Sequence, residues 1–241
     1  MSSLLSVLKC QCGDYMSAPI RQCRNGHSVC SACVSEEPNC PTCGQNFIKA
    51  RNYGLEEIAA RVKLPCPYSS EGCRATTLSV DLDDHVDDCD YRSRRCGIRS
   101  CKWTGLPSSI IGHVKQKHPA QILNGGAALK IPKNWTSLPD NIWDVWLLKA
   151  FNRFFWVHLK LEGGNSKIMA SVQNTISGFH KYELKLAVDN DSIAFCFETE
   201  RSLVDMNSVF TKELCFSVST KLAKNFIVDG CILLDVKIIN P

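Results

Sequence analysis

Metal-ligating side chains are concentrated in the first half of the chain. Twelve cysteines and four histidines lie between Cys10 and His118, and they divide into four sets of four without remainder. In chain order they are Cys10, Cys12, Cys23, His27, Cys30, Cys33, Cys40 and Cys43, then Cys66, Cys73, His85 and Cys89, then Cys96, Cys101, His113 and His118. Tetrahedral zinc sites use cysteine and histidine at such short spacings. The pattern therefore predicts four zinc ions per chain.

A disulfide framework is the alternative interpretation of these cysteines. It gives no reason for histidines at ligand spacing, and the segment Met1–Lys9 is too short for a secretory signal. We therefore expect a reducing compartment, the cytoplasm or also the nucleus, where clustered cysteines bind metal. No uninterrupted apolar stretch approaches the ~20 residues that span a bilayer, so we expect no membrane span.

Charge argues against a nucleic-acid partner. The formal charge is +4, and residues 1–120 contain 15 basic and 12 acidic residues. Twelve cysteine thiolates and four zinc ions would bring that half to about −1. The last ligand set has nearly the spacing of a DNA-reading finger, but between Leu106 and His118 only Lys115 and Lys117 are charged. We expect no nucleic-acid binding.

Two kinds of secondary structure are predicted between and after these ligands. Leu55, Ile58, Ala59 and Val62 recur at helical spacing, which predicts a connector helix within residues 51–64, before Pro65. From Phe154 onward, short apolar runs alternate with turn signals, as is typical of an antiparallel sandwich. The predicted turns are Glu162-Gly163-Gly164-Asn165, Asp189-Asn190-Asp191 and Asp229-Gly230.

The second half offers packing residues rather than catalytic ones. One strand face is predicted from Tyr182, Leu184, Leu186 and Val188, and another from Ile232, Leu234, Val236 and Ile238. His158 and His180 are predicted to be ordinary strand or turn residues and not ligands. Residues predicted to pack without ligand roles are Trp135, Trp143, Trp146, Trp156, Cys196, Cys215 and Cys231. No serine–histidine–aspartate set, carboxylate pair or phosphate-binding loop is recognisable there. We therefore expect a binding role for this half.

The intervening residues resemble one particular family. QCRNGHSVCSAC, CPTC, Arg51-Asn52, the stretch Gly54–Val62, PCPYSSEGC and Cys101-Lys102-Trp103 are similar to the seven in absentia (SINA/SIAH) family of RING-type ubiquitin ligases. The resemblance implies small zinc-stabilised α+β modules followed by an all-β sandwich similar to TRAF domains. The implied domains are a RING finger at 1–50 with its core at 10–44, the connector helix at 51–64, tandem zinc fingers at 65–119 (66–89 and 96–118), and the sandwich at 120–241.

The resemblance also implies ligand sets and partners. A cross-brace would bind the first zinc with Cys10, Cys12, Cys30 and Cys33, and the second with Cys23, His27, Cys40 and Cys43. No residue of this chain would be catalytic, because a RING ligase positions a charged ubiquitin-conjugating enzyme beside its substrate. Gln11, Val34 and Pro41 would contact that enzyme. The sandwich would form a homodimer and bind extended substrate peptides, which leads to proteasomal degradation. Val157–Leu161 and Lys167–Val172 are candidates for the peptide groove.

The first RING knuckle departs from the family pattern. The family has two residues between its first cysteines and an apolar residue before the second, whereas this chain reads Lys9-Cys10-Gln11-Cys12. We expect Cys10 to bind zinc in a weakened first site. Gly44 stands where many RING fingers have a basic residue. Two functions therefore stay open: a ubiquitin ligase, and a catalytically weak scaffold of the same fold.

Overall fold

The chain forms two compact units. In the computed structural model they are Met1–Tyr91 and Arg92–Pro241, and the described residues are 2–36, 38–123, 128–137, 142–162, 167–176 and 178–239. In those ranges no helix has the length and hydropathy needed to cross a lipid bilayer. The predicted domain limits stay predictions.

The first unit is built from short elements. They are α1 (Ser2–Val7), β1 (Arg21–Cys23), β2 (Ser28–Val29), α2 (Ser31–Glu36), β3 (Phe47–Arg51), α3 (Tyr53–Arg61), β4 (Leu64–Pro65), a 3-10 turn (Pro67–Ser69), β5 (Thr76–Thr77) and α4 (Ser79–Asp88). β1 pairs antiparallel with β2 and β3, and β4 pairs with β5. So little regular structure leaves the zinc sites to hold the loops together.

The predicted helix within 51–64 forms as α3, and it packs into the core of this unit. Leu55 and Ala59 are buried together with Leu8, Ile20 and several ligand cysteines. Asn52 caps the helix, because its Oδ1 accepts a hydrogen bond from the Leu55 amide at 3.1 Å. The helix is therefore part of the core of the unit.

Glu56 links α3 to Ile20 and Arg51 by hydrogen bonds. Its carboxylate is 8% exposed. It accepts hydrogen bonds from the Ile20 amide at 2.8 Å and from Arg51 Nε and Nη2 at 2.9 and 2.6 Å. The Arg51 guanidinium lowers the pKa of Glu56; burial opposes this, and the Ile20 amide adds to the lowering.

Replacing Glu56 by glutamine is expected to lower the thermal midpoint of the protein at pH 7. Because the folded pKa lies below the ordinary value of 4.5, the ionised carboxylate stabilises the fold above that pH. Its contribution is lost as the pH falls through the lowered pKa. Thermal scans from pH 7 to pH 3 should show the gap between wild type and Glu56→Gln closing in acid. Glu57→Gln, at an exposed pair with Arg61, should leave the midpoint nearly unchanged, and an equal loss in both variants would contradict the assignment.

The second unit contains the last finger and the sandwich. Its helices are α5 (Ile110–Lys117), α6 (Met206–Thr211) and α7 (Thr220–Ala223), with 3-10 turns at Pro107–Ser109, Pro119–Gln121, Trp135–Ser137 and Lys224–Phe226. Its strands are β6 (Arg94–Arg95), β7 (Thr104–Gly105), β8 (Ile122–Leu123), β9 (Ala128–Pro132), β10 (Ile142–Ala150), β11 (Arg153–Glu162), β12 (Lys167–Asn174), β13 (Lys181–Val188), β14 (Asp191–Glu198), β15 (Phe216–Ser219), β16 (Ile227–Val228) and β17 (Cys231–Ile239).

Two packed sheets confirm the predicted sandwich. Within the described ranges, one sheet has the order β15-β12-β11-β10-β8, and the other has the order β14-β13-β17-β16 with β9 also beside β17. All pairings in them are antiparallel except that of β8 with β10. The likeness to TRAF domains stays a prediction.

The sandwich core confirms the predicted strand faces. Tyr182 lies opposite Ile238, and Leu184 lies opposite Val236, with all four side chains buried. They join one cluster with the inward side chains of β11, which include Phe155. Period-two burial of this kind is what fixes the register of the sheet.

The outer face of the first sheet is also covered. Trp156 packs with Cys96, Ile110 and Val114 of the last finger. Further along, Met169 packs with the buried side chains of α6. β11 is therefore buried on both faces, and the finger and the sandwich share a core.

Two of the three predicted turns are confirmed. Asp189 and Asn190 join β13 to β14, and Asp229 and Gly230 join β16 to β17, with positive φ at Asp189, Asp229 and Gly230. The third predicted turn, Glu162–Asn165, lies largely outside the described residues. A further hairpin turn, Phe151-Asn152 between β10 and β11, was not predicted; both residues have positive φ, 48° and 57°, and only Asn152 is a typical turn residue.

Two expectations for the sandwich are wrong: the burial of Cys196 and Cys231, and the position of the groove candidates at a sheet edge. Cys215 is buried, but Cys196 is exposed and Cys231 half-buried, because β14 is an edge strand and Cys231 follows a surface turn. The groove candidates Val157–Leu161 and Lys167–Val172 lie in β11 and β12, which have neighbours on both sides in the sheet. Their main-chain groups already pair with those neighbours, so they offer no edge to a peptide.

Candidate metal centres

The loops between residues 10 and 43 form two interleaved ligand sets. Cys10, Cys12, Cys30 and Cys33 form one group, and Cys23, His27, Cys40 and Cys43 form the other, with the ligand atoms of each group within 4.8 Å of one another. Four sulfurs around a tetrahedral zinc ion, at about 2.3 Å each, lie about 3.8 Å apart. The Cys10–Cys33 and Cys12–Cys30 Sγ distances are 3.8 Å, and Cys23–Cys43 is 3.7 Å. Both groups fit zinc, with His27 presenting Nδ1 at 3.3 Å from Cys43 Sγ.

The irregular residue Cys10 takes a ligand position. A tight turn brings it there: its amide donates to Asp14 O at 2.8 Å, and the Gly13 amide donates to Cys10 O at 3.0 Å. Gly13 has φ 96°, which glycine adopts readily. Burial raises the pKa of the Cys10 thiol, but hydrogen bonds from the Cys30 and Cys12 amides outweigh it, and the pKa falls to about 7. Lys9 is exposed and outside the group.

The two fingers supply the remaining groups. Cys66, Cys73, His85 and Cys89 form the third, with 3.7 Å between Cys66 and Cys89 Sγ and 3.5 Å between Cys73 Sγ and His85 Nε2. Cys96, Cys101, His113 and His118 form the fourth, with 3.3 Å between Cys101 Sγ and His113 Nε2. In each finger a strand pair positions the cysteines and a helix positions a histidine. All sixteen predicted ligands are thus brought together in the predicted sets.

Trp103 positions a ligand of the fourth site. Its ring stacks on His113 with 4.4 Å between centroids and 6° between planes. Gly105 makes room for this ring, because a Cβ there would lie 2.5 Å from Trp103 Cζ2. The sequence showed Trp103 as part of a motif but not this role.

Replacing Trp103 by alanine is expected to weaken zinc retention in the fourth site about 10–100-fold, as is typical when a group that orients a ligand is lost. Competition with a chromophoric chelator measures this, with the zinc released per chain read against time. Trp103→Phe keeps a stacking ring and should recover most of the affinity. If the alanine and phenylalanine variants behave alike, stacking does not position His113.

The predicted conjugating-enzyme contacts stay predictions. Gln11 and Pro41 are exposed on their knuckles, whereas Val34 in α2 is half-buried against the core. Gly44 has φ 69°, and its amide donates to Cys40 O at 2.8 Å. A basic side chain at this position would carry a strained backbone, which accounts for glycine here.

Closed four-ligand sites have a structural role. Each group supplies four protein ligands, so a zinc ion bound there has no open position for water or substrate. The sites fix loop geometry in a protein with little regular structure before residue 91. What such a scaffold can do chemically is to present surfaces to other proteins.

Two family models match the metal-binding half. One, described as "E3 ubiquitin-protein ligase sina/sinah, RING finger", matches residues 10–43. The other, described as "Sina, zinc finger", matches residues 57–128. The first match begins at Cys10 and ends at Cys43, the outermost ligands of the two interleaved groups.

Curated relatives carry the same family name. The chain is 34% identical over 162 residues, 66% of its length, to "E3 ubiquitin-protein ligase siah-1" of Caenorhabditis briggsae. It is 33% identical over 160 residues, 65% of its length, to "E3 ubiquitin-protein ligase sina" of Schistosoma mansoni. These matches span only 37% and 43% of those relatives. "E3 ubiquitin-protein ligase siah2" of Xenopus laevis is 28% identical over 98% of this chain and 79% of the relative. By these matches, the RING finger and the zinc fingers of this chain are those of the seven in absentia (sina) family.

Proposed function

We propose that the chain is a RING-type ubiquitin ligase that binds four structural zinc ions. The observation that carries the proposal is the interleaving of the first two ligand groups, which builds a cross-braced RING whose cysteines are all candidate zinc ligands. The RING would bind a charged ubiquitin-conjugating enzyme, and the second unit would bind the substrate. Transfer is then promoted by proximity alone.

Further parts of the proposal concern the sandwich and the cell. We propose that the sandwich forms a homodimer and binds extended substrate peptides by strand addition. Among the edge strands of the described sheets, the eight-residue β14 is the longest. Cysteines that bind zinc must stay out of disulfide bonds. This favours a reducing compartment, the cytoplasm or also the nucleus.

A scaffold without transfer activity is the second candidate. Gln11 favours it, because the residue is polar and exposed where the family pattern has an apolar contact. Losing the burial of one apolar side chain costs about 1.5–3 kcal/mol, which corresponds to at least about tenfold in affinity.

An autoubiquitination assay separates the two candidates. We expect ubiquitin chains with activating enzyme and at least one member of a panel of conjugating enzymes, and none with the His27→Ala variant. Gln11→Val should raise the rate about tenfold, because it restores the apolar contact. Wild type as silent as His27→Ala with every conjugating enzyme would exclude the ligase. A silent wild type with an active Gln11→Val variant would identify a scaffold that Gln11 has made inactive.

A further inference from the structure

A basic cleft lies in the second unit beside the last finger. Its volume is about 570 Å³, within the ~300–1,000 Å³ of ordinary ligand pockets. One wall is the finger segment 92–99, and the other is the outer face of β10 and β11 together with residues 202–206. We call it the basic cleft and define it by Arg95, Arg99, Trp143, His158 and Ser202.

Its lining is positive. Arg95 and Arg99 are the exposed arginines that line it, and Asp205 is the one acidic residue among the described lining side chains. The Asp205 carboxylate is engaged as the cap of α6, since it accepts from the Asn207 amide at 3.0 Å. With zinc bound, the neighbouring Cys2His2 site has no net charge. The cleft is therefore positive in a chain whose loaded charge is close to zero.

A buried donor at the base of the cleft has no acceptor in good hydrogen-bond geometry in the described part of the chain, although the Gln173 side chain lies beside it. His158 is 4% exposed, and the Trp143 indole donates to its Nδ1 at 3.4 Å. The indole is only a donor, so the neutral ring carries its proton on Nε2. Nε2 is buried and has no partner with hydrogen-bond geometry among the described residues, and the same holds for Ser202 Oγ.

The imidazole stays neutral in the presence of the arginines. Burial lowers the pKa of His158 to about 4, and the adjacent Gln173 side chain offsets only part of that effect. At neutral pH the ring is thus a single fixed donor. Unsatisfied buried donors are costly, so an acceptor that reached Nε2 would stabilise the site.

We propose that the basic cleft binds an acidic peptide segment of a partner protein, whose carboxylate or phosphate accepts hydrogen bonds from Arg95 and Arg99 at the mouth and from His158 Nε2 at the base. Arginine forms strong, often bidentate bonds to both oxyanions. Arg99 lies over the Trp143 ring at 4.6 Å, and Leu203 supplies apolar surface for a flanking residue. A nucleic acid would instead require a longer basic groove along several phosphates. The site is independent of whether the chain ligates ubiquitin.

Fluorescence polarisation with the zinc-loaded full chain tests the proposal. The probes are labelled pentapeptides with a central phosphoserine, glutamate or serine between two leucines. We expect the phosphoserine or the glutamate peptide to bind at least about tenfold more tightly than the serine peptide. The ratio of the affinities for the phosphoserine peptide and the glutamate peptide identifies which oxyanion the cleft prefers. Arg95→Gln and Arg99→Gln should each weaken that binding about tenfold, whereas Lys130→Gln, at an exposed cation on β9, should not.

The His158 ring gives a second readout. In nitrogen-15 spectra of the imidazole, the Nε2-bound proton should shift when the acidic peptide is added, and His158→Gln assigns the signal. If either arginine variant fails to fold, the other variant and this shift still test whether the peptide binds in the basic cleft. Equal affinity for the serine peptide, unchanged affinity in both arginine variants, or tighter binding of a ten-residue oligothymidylate would each overturn the proposal.

Discussion

A Cys89→Ser variant is expected to bind three zinc ions where the wild type binds four, and to lose the fold of the first finger. Cys89 is 2% exposed and its Sγ lies 3.7 Å from Cys66 Sγ. The apolar cluster of this finger consists of Cys66, Cys73 and Cys89, with Tyr68 and Ala75 beside them. Its core is therefore made largely of the ligands themselves. Zinc binding in such small modules contributes about 10–16 kcal/mol, and this exceeds any packing contact in the finger.

Elemental analysis after gel filtration measures the zinc content, and limited proteolysis within residues 66–89 reports the fold. Cys196→Ser is the matched control, because Cys196 is exposed and belongs to no ligand group. It should retain four zinc ions and full resistance to protease. Four ions in Cys89→Ser would contradict the assignment of the third site. Three ions in the wild type would instead identify Cys10 as a residue that does not ligate.

The sixteen ligand residues could be predicted from the sequence, because cysteine and histidine at short spacings are a local signal. How the first eight divide into two interleaved sets was implied only by the resemblance to the seven in absentia family, and the structure forms those sets. The turn at Asp229-Gly230 was predictable for the same reason, since positive φ at both positions selects such residues.

The ligand position of Cys10 could not be predicted from the local sequence alone. The sequence indicates only that its spacing is irregular. Whether its sulfur reaches the ion depends on the backbone pairing of Cys10 with Asp14 and on the positive φ of Gly13. Such geometry follows from hydrogen bonding across the whole knuckle, which spacing does not specify.

The packing around β11 was only partly predictable. The run Phe154-Phe155-Trp156-Val157 lacks the alternation of a half-exposed strand, which is a signal of burial on both faces. That signal identifies no partner. The partners of Trp156 come from the last finger, far away along the chain. The exposure of Cys196 depends likewise on the position of β14 at a sheet edge, because sheet order is a property of the whole topology.

The second large effect is expected where the last finger meets the sandwich. Trp156 is 4% exposed, and it packs with Cys96, Ile110 and Val114 of the finger on the outer face of the sheet. Trp156→Ala should lower the free energy of unfolding by about 3–5 kcal/mol, because truncation removes a large buried side chain and leaves a cavity. Urea titration of the zinc-loaded protein measures the loss. Phe179→Ala, at a phenylalanine that is 71% exposed, should stay within about 0.5 kcal/mol of the wild type.

A second variant at the same contact tests whether close packing around Trp156 causes the stabilisation. Gly97 lies directly beside the indole, since a Cβ at that position would be 2.6 Å from Trp156 Cδ2. Gly97→Ala should therefore destabilise by about 1–3 kcal/mol through overpacking, although it adds apolar surface. Amide exchange in α5 should accelerate in both variants relative to β13, because the finger loosens while the inner core persists. If Trp156→Ala costs less than about 1 kcal/mol and α5 exchanges as in the wild type, the finger and the sandwich do not stabilise each other.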